Sequence, residues 1–154
     1  MLPAVPMVAI KKKGVFALLL CSTFLWQGCD PPGPSALLRG ERLIHDGKYQ
    51  AAIESLREAT TMLPNNPQAW NHLGLAYHWA GQYNQAVQAY RQAKDLNPNL
   101  ASVRFNLGSL QLKINQPQFA ANEFAAYTIL EPKQVAGWVR RGMSEWRARN
   151  GNAA

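Results

Sequence analysis

Few side chains in this sequence are equipped for bond-making chemistry, and their spacing limits what that chemistry can be. The chain carries two cysteines, Cys21 and Cys29, and three histidines, His45, His72 and His78. A structural zinc site asks for about four converging ligands. Here His72 and His78 stand six residues apart, on different faces of any helix that holds both. A nucleophilic cysteine needs a partnered base, and no such residue is close to Cys29 in the sequence. Glu54 and Glu58 sit one helical turn apart with Arg57 between them, which is the pattern of a solvated face rather than of an acid/base pair. No glycine-rich phosphate loop or nucleophile motif occurs. The expectation is a chain that is not an enzyme, with no metal, no cofactor and no small-molecule substrate.

Cys29 still needs a role. A disulfide to Cys21 would close a span of only eight residues. Lys11, Lys12 and Lys13 precede thirteen uncharged residues, Gly14 to Trp26. A membrane-spanning helix takes roughly 20 apolar residues. The apolar core of a secretory signal takes about 7–15, behind a positive leader. Residues 1–28 are therefore predicted to be a signal peptide, with Gly28 as the small residue before cleavage. The stretch Trp26-Gln27-Gly28-Cys29 resembles the lipobox of bacterial lipoproteins, in which an apolar residue and two variable or small residues precede the cysteine to be acylated. Trp26 takes the place where that family prefers leucine. The resemblance implies cleavage before Cys29, a covalent lipid on it, and a membrane-anchored protein of the bacterial cell envelope facing the periplasm or exterior. Retention of the segment as an uncleaved anchor, and cleavage without lipidation, remain alternatives. Asp30, next to the cysteine, resembles the inner-membrane retention signal of enterobacterial lipoproteins. Residues 29–34 are predicted to be a stiff spacer, because "DPPGPS" holds three prolines and a glycine.

The elements that must position everything else come from a repeat. Gly40, Gly74, Gly108 and Gly142 are spaced by 34 residues. Ala52, Ala86 and Ala120 keep that step, as do Pro64, Pro98 and Pro132, and Leu56, Tyr90 and Phe124. Four glycines at one helical phase imply a partner helix crossing too closely for a side chain, and the alanine column is taken as the other half of that contact. "DGKY" (46–49) and "AGQY" (80–83) place a glycine at the turn between paired helices, and the prolines end the second helix of each pair. The period predicts helices over 35–46, 49–62, 68–80, 84–96, 102–114, 118–130 and 136–148.

This pattern resembles the tetratricopeptide repeat (TPR), a two-helix unit of this length. Residues 67–100 carry the pattern most fully, in Trp70, Leu73, Gly74, Tyr77, Ala86, Tyr90, Ala93 and Pro98. Residues 33–66 and 101–134 keep much of it, with Ala36 and Arg104 at the Trp column, and 135–149 restart the unit with Trp138 and Gly142. The resemblance implies an all-α fold, an α-solenoid of three TPR helix pairs over 35–149 plus a C-terminal capping helix. Residues 150–154 are expected to be a disordered tail. A capping helix covers the last pair and turns a polar face outward; Trp138 and the arginines of 136–148 are assigned those two tasks.

In this family the first helices line a concave surface. Side chains at that phase and not spent on packing are Leu37, Ile44, Asn71, Leu75, His78, Trp79, Phe105, Ser109 and Leu112, flanked by Glu41, His45, Lys113, Val139 and Met143. Leu37 and Glu41 occupy places where a Lys/Asn clamp for acidic peptide ends would stand, so a hydrophobic peptide or partner helix is expected instead. The implied function is an envelope-anchored adaptor or assembly factor that binds a protein partner. Two alternatives stand beside it. One is self-assembly through Leu75, Trp79 and Phe105. The other is binding of anionic lipid or nucleic acid through Arg140, Arg141, Arg147 and Arg149, because residues 101–154 carry seven basic and three acidic side chains while 29–100 are balanced.

Overall fold

The computed structural model describes residues 31–151. The predicted signal peptide, Cys29, Asp30 and residues 152–154 lie outside them. The described residues form seven α-helices and no strand: α1 Pro32–His45, α2 Tyr49–Met62, α3 Pro67–Trp79, α4 Tyr83–Leu96, α5 Ala101–Lys113, α6 Pro117–Leu130 and α7 Val135–Asn150. Each packs on its neighbours in sequence, and α1, α3, α5 and α7 also touch one another in series. These four therefore line one surface while α2, α4 and α6 stand behind it. None of the described helices is long and apolar enough to cross a membrane.

The expected spacer is shorter than its composition implies. α1 starts at Pro32 and contains Gly33 and Pro34. Prolines are harmless in a first turn, where backbone N–H groups have no acceptor within the helix. Gly33 is buried, and a Cβ there would lie 2.8 Å from Leu63 Cγ, so this turn packs against the end of α2. At the other end α7 continues through Asn150, into the stretch expected to be disordered.

Three identical turns join the paired helices. Gly47 (φ 72°), Gly81 (φ 77°) and Asn115 (φ 57°) all adopt the left-handed conformation. The next residue's N–H returns to the carbonyl of Leu43, Tyr77 or Gln111. This is the hydrogen-bonded helix stop that glycine favours and asparagine tolerates. Asn115 thus fills the glycine position of the third unit. The Trp column closes the other turns. Trp70 and Trp138 donate Nε1–H to the carbonyls of Pro64 (2.8 Å) and Pro132 (3.0 Å). Arg104 donates Nε–H to Pro98 (3.1 Å) and performs the same task.

The glycine column meets a different partner from the one expected. A Cβ at Gly40 would lie 2.4 Å from Leu56 Cγ, at Gly74 2.6 Å from Tyr90 Cδ1, and at Gly108 3.0 Å from Phe124 Cζ. The bulky column of the second helices fills this gap, not the alanine column. Leu56, Tyr90 and Phe124 are fully buried, as are Ala52, Ala86 and Ala120.

Two features hold the later units. Glu123, on α6, is buried and accepts from Lys94 Nζ (2.7 Å) of α4 and from Arg104 Nη1 (2.8 Å) of α5. α7 approaches α6 through Gly137, where a Cβ would lie 2.5 Å from the Tyr127 ring. That contact sets the phase of the cap. Its buried residues are Gly137 and Ser144, while Val135, Trp138, Val139, Met143 and Trp146 are exposed. Trp138 therefore does not seal the last pair with its ring, and the outward face is not polar.

Candidate partner-binding groove

Six of the nine residues assigned to the concave surface come together. Leu75, His78 and Trp79 of α3, Phe105, Ser109 and Leu112 of α5, and Met143 of α7 line an open groove of about 440 Å³. Leu112 forms its floor, nearly buried against Ala120 and Phe124. Phe105 packs edge-on to Phe124, with centroids 5.6 Å apart, and lies 5.1 Å from the Tyr127 ring. It is thus both wall and core. Ser109 donates its hydroxyl to the Phe105 carbonyl (2.8 Å), which satisfies its own proton and leaves the oxygen as an acceptor. Trp79 is 55% exposed although its ring stacks on His78 and Tyr49. An indole held in place yet open to solvent is a preformed contact surface.

The other three assigned residues are elsewhere. Leu37 and Ile44 are half-buried against the Ile53–Leu56–Leu73 core, because α1 turns that side toward α2 and α3. Asn71 is buried and accepts a hydrogen bond from Asn106 Nδ2 (3.0 Å), a polar link between α3 and α5. Glu41 lies 3.3 Å from His72 Nδ1, and His45 is exposed beside Asp46. No cluster of His, Cys, Asp and Glu suited to a metal ion occurs among the described residues.

The groove's charge was not foreseen. Lys113, Arg140 and Arg147 line it and no carboxylate does. Burial, aided by the Lys113 charge, holds the His78 pKa below its ordinary 6.5. His78 is neutral at neutral pH, so the positive charge comes from those three side chains. The four arginines of α7 do not form one patch. Arg140 and Arg147 face the groove, while Arg141 pairs with Glu145 (2.8 Å) and lies over the Trp138 ring. The signal for this was helical phase: at about 100° per residue, positions 140 and 147 share the side of Gly137 and Ser144.

The helix pairs, their register and the shared turn define the unit, and comparison with known sequences names it. The family models described as "Tetratricopeptide repeat" and "TPR repeat" match residues 67–100 and 40–79. Residues 40–100 are thus similar to tetratricopeptide repeats. Solved TPR proteins superpose on the whole array. The crystal structure of MamA matches with a TM-score of 0.73 at 21% identity, covering 77% of this chain and 66% of that one. The first TPR of Spaghetti (RPAP3), bound to the HSP90 peptide SRMEEVD, also matches with a TM-score of 0.73, at 17% identity over 76% of this chain and 93% of that one. The fold is a TPR solenoid. Among curated proteins, Protein FlbA of Caulobacter vibrioides is 35% identical over 69 residues, 45% of this chain and 12% of FlbA. The BBSome complex member BBS4 of Mus musculus is 26% identical over 97 residues, 63% of this chain and 19% of the mouse protein. The TPR segment thus spans less than a fifth of either relative.

Proposed function

We propose that this chain is an adaptor of the bacterial cell envelope that holds a protein partner by an apolar segment with acidic flanks, seated in the groove of α3, α5 and α7. The observation that carries this reading is the lining itself. Trp79, Leu75, Phe105 and Met143 supply apolar surface, and Lys113, Arg140 and Arg147 surround it with no acidic side chain among them. TPR folds commonly hold peptides, and the RPAP3 repeat is bound to a peptide that ends in Glu-Glu-Val-Asp. Aromatic anchors supply most of the affinity in such a site, and a ring of like charge selects the partner and speeds its arrival.

Trp79→Ala tests the anchor. Partner recovery in a cross-linked pull-down from native membranes is expected to fall about 10-fold or more, with a stability change within about 0.5 kcal/mol. A large loss of melting temperature with unchanged recovery would make Trp79 a packing residue and sink the reading. Arg140→Glu with Arg147→Glu is expected to abolish recovery.

The anchor of this adaptor is a lipid on Cys29, which becomes the N-terminal residue when residues 1–28 are removed. The support is the thirteen-residue uncharged run behind Lys11–Lys13 and the Gly28–Cys29 junction. More than one acyl chain holds a protein stably where one is marginal, and tethering raises the local concentration of groove and partner. Cys29→Ala is expected to leave unprocessed precursor without acyl label on gel mobility and palmitate labelling. Normal maturation of this variant would refute the anchor.

A further inference from the structure

Among the described residues, the second helices α2, α4 and α6 do not pack directly on one another. A cleft therefore separates each successive pair, with a first helix behind it. The repeat shows how the later cleft is closed. Between α4 and α6 it holds Lys94, Glu123 and Arg104, joined at 2.7 Å and 2.8 Å. Between α2 and α4 the same three positions, 34 residues earlier, are Thr60, Ala89 and Trp70. Neither Thr60 nor Ala89 is long enough to bridge, and Trp70 spends its N–H on the Pro64 carbonyl. The cleft is left open, with a volume of about 350 Å³. That lies within the ~300–1,000 Å³ of small-ligand sites.

Trp70 and Tyr77 of α3, both half-buried, give this cleft aromatic surface. Gln85, Gln88 and Gln92 stand at helical spacing along the α4 wall and are exposed. Each amide offers two N–H donors and a carbonyl acceptor. Thr61 of α2 donates its hydroxyl to the Arg57 carbonyl (2.9 Å), so its oxygen is left to accept. Among the described residues that line the cleft, Arg57 alone is charged.

We propose that this cleft is a saccharide-binding site, for an uncharged sugar presented free or within a glycan polymer. A sugar uses all of these features at once. Its C–H faces lie on aromatic rings, which carry negative charge on their faces. Its neighbouring hydroxyls both donate and accept, as a row of amides does. Other ligands use less. A metal ion finds no ligand set here, and a phosphate-bearing ligand meets a single guanidinium. An apolar peptide would cover the glutamine amides without pairing them, which costs affinity. The cleft lies among the helices that stand behind the groove, so it requires neither the groove's partner nor the lipid.

The test is calorimetric titration of the full chain in detergent with two soluble probes, a glucose oligomer and an N-acetylglucosamine oligomer. Cosedimentation with insoluble cell-wall glycan runs beside it. Saturable binding of at least one soluble probe is expected. Gln88→Ala with Gln92→Ala, both on exposed positions, should weaken it about 10-fold. Thr60→Lys, Trp70→Arg and Ala89→Glu together copy the closed cleft into the open one. This triple variant should melt cooperatively and bind no sugar; if it unfolds, the glutamine pair decides. Cosedimentation with the same losses supports the site with the polymer as its source, and soluble binding without cosedimentation supports it with a free sugar. Failure of every probe to bind overturns the proposal, as does binding that the glutamine pair leaves unchanged.

Discussion

Glu123→Gln is expected to lower the unfolding free energy by about 3 kcal/mol, which for an array of this size is a drop of roughly 10 °C in melting temperature. The carboxylate is buried between Lys94 and Arg104, whose side chains are only 25% and 20% exposed. Removing it leaves two partly desolvated cations facing each other without compensation, and that penalty exceeds the value of the lost hydrogen bonds. The three residues sit on α4, α5 and α6, so the effect falls on the junction between the second and third units. In a repeat array that junction is the term that couples neighbours. Thermal and urea unfolding measure it directly. Arg104→Trp provides the control: it keeps a donor for the Pro98 carbonyl, as Trp70 and Trp138 do for theirs, and leaves Lys94 paired. It should cost clearly less. A Glu123→Gln loss below about 1 kcal/mol would show that water screens the triad.

Gly74→Ala carries the other large effect. Its Cβ would lie 2.6 Å and 2.7 Å from Tyr90 Cδ1 and Cε1, on a ring that is fully buried. The ring has no free space to move into, so α3 and α4 must separate. Overpacking of this kind costs about 1–3 kcal/mol and occasionally more, against a helix-propensity gain of about 1 kcal/mol. A net loss of up to about 2 kcal/mol is expected. At Gly142, where nothing lies within 4 Å, the same substitution should stabilise the protein by up to about 1 kcal/mol. Denaturant unfolding of both variants separates two explanations of the column. Opposite signs mean that clearance between helices is what matters. Equal signs would mean that only the flexibility of glycine matters, and the packing account would fail.

The origin of this contact also shows where reading from sequence ran short. The 34-residue spacing revealed that each first helix is approached closely at its glycine. It did not reveal by what, because both the alanine and the bulky columns share that period. Only side-chain direction distinguishes them, and it puts Leu56, Tyr90 and Phe124 over the glycines. Asn115 escaped notice as a turn residue because asparagine occupies the left-handed region at some cost and glycine does not. The prolines at 32 and 34 suggested a break, yet a first turn has no N–H bond for proline to remove.

What the sequence determined by itself is the repeat and hence the fold, since helix periodicity, turn residues and small-residue columns are local and recur three times. It also placed Leu75, His78, Trp79, Phe105, Ser109 and Leu112 at first-helix positions outside the repeat's Trp-Leu-Gly-Tyr packing set, although Phe105 and Leu112 pack into the core as well. The tertiary structure alone decided which free positions share one groove. Leu37, Ile44 and Asn71 have the same phase, but α1 and the Asn71–Asn106 link turn them into contacts between units. It alone decided the rotation of α7, because Gly137 lets that helix close on the Tyr127 ring. That single contact sends Arg140 and Arg147 into the groove and leaves Trp138, Val139 and Trp146 facing outward around Gly142.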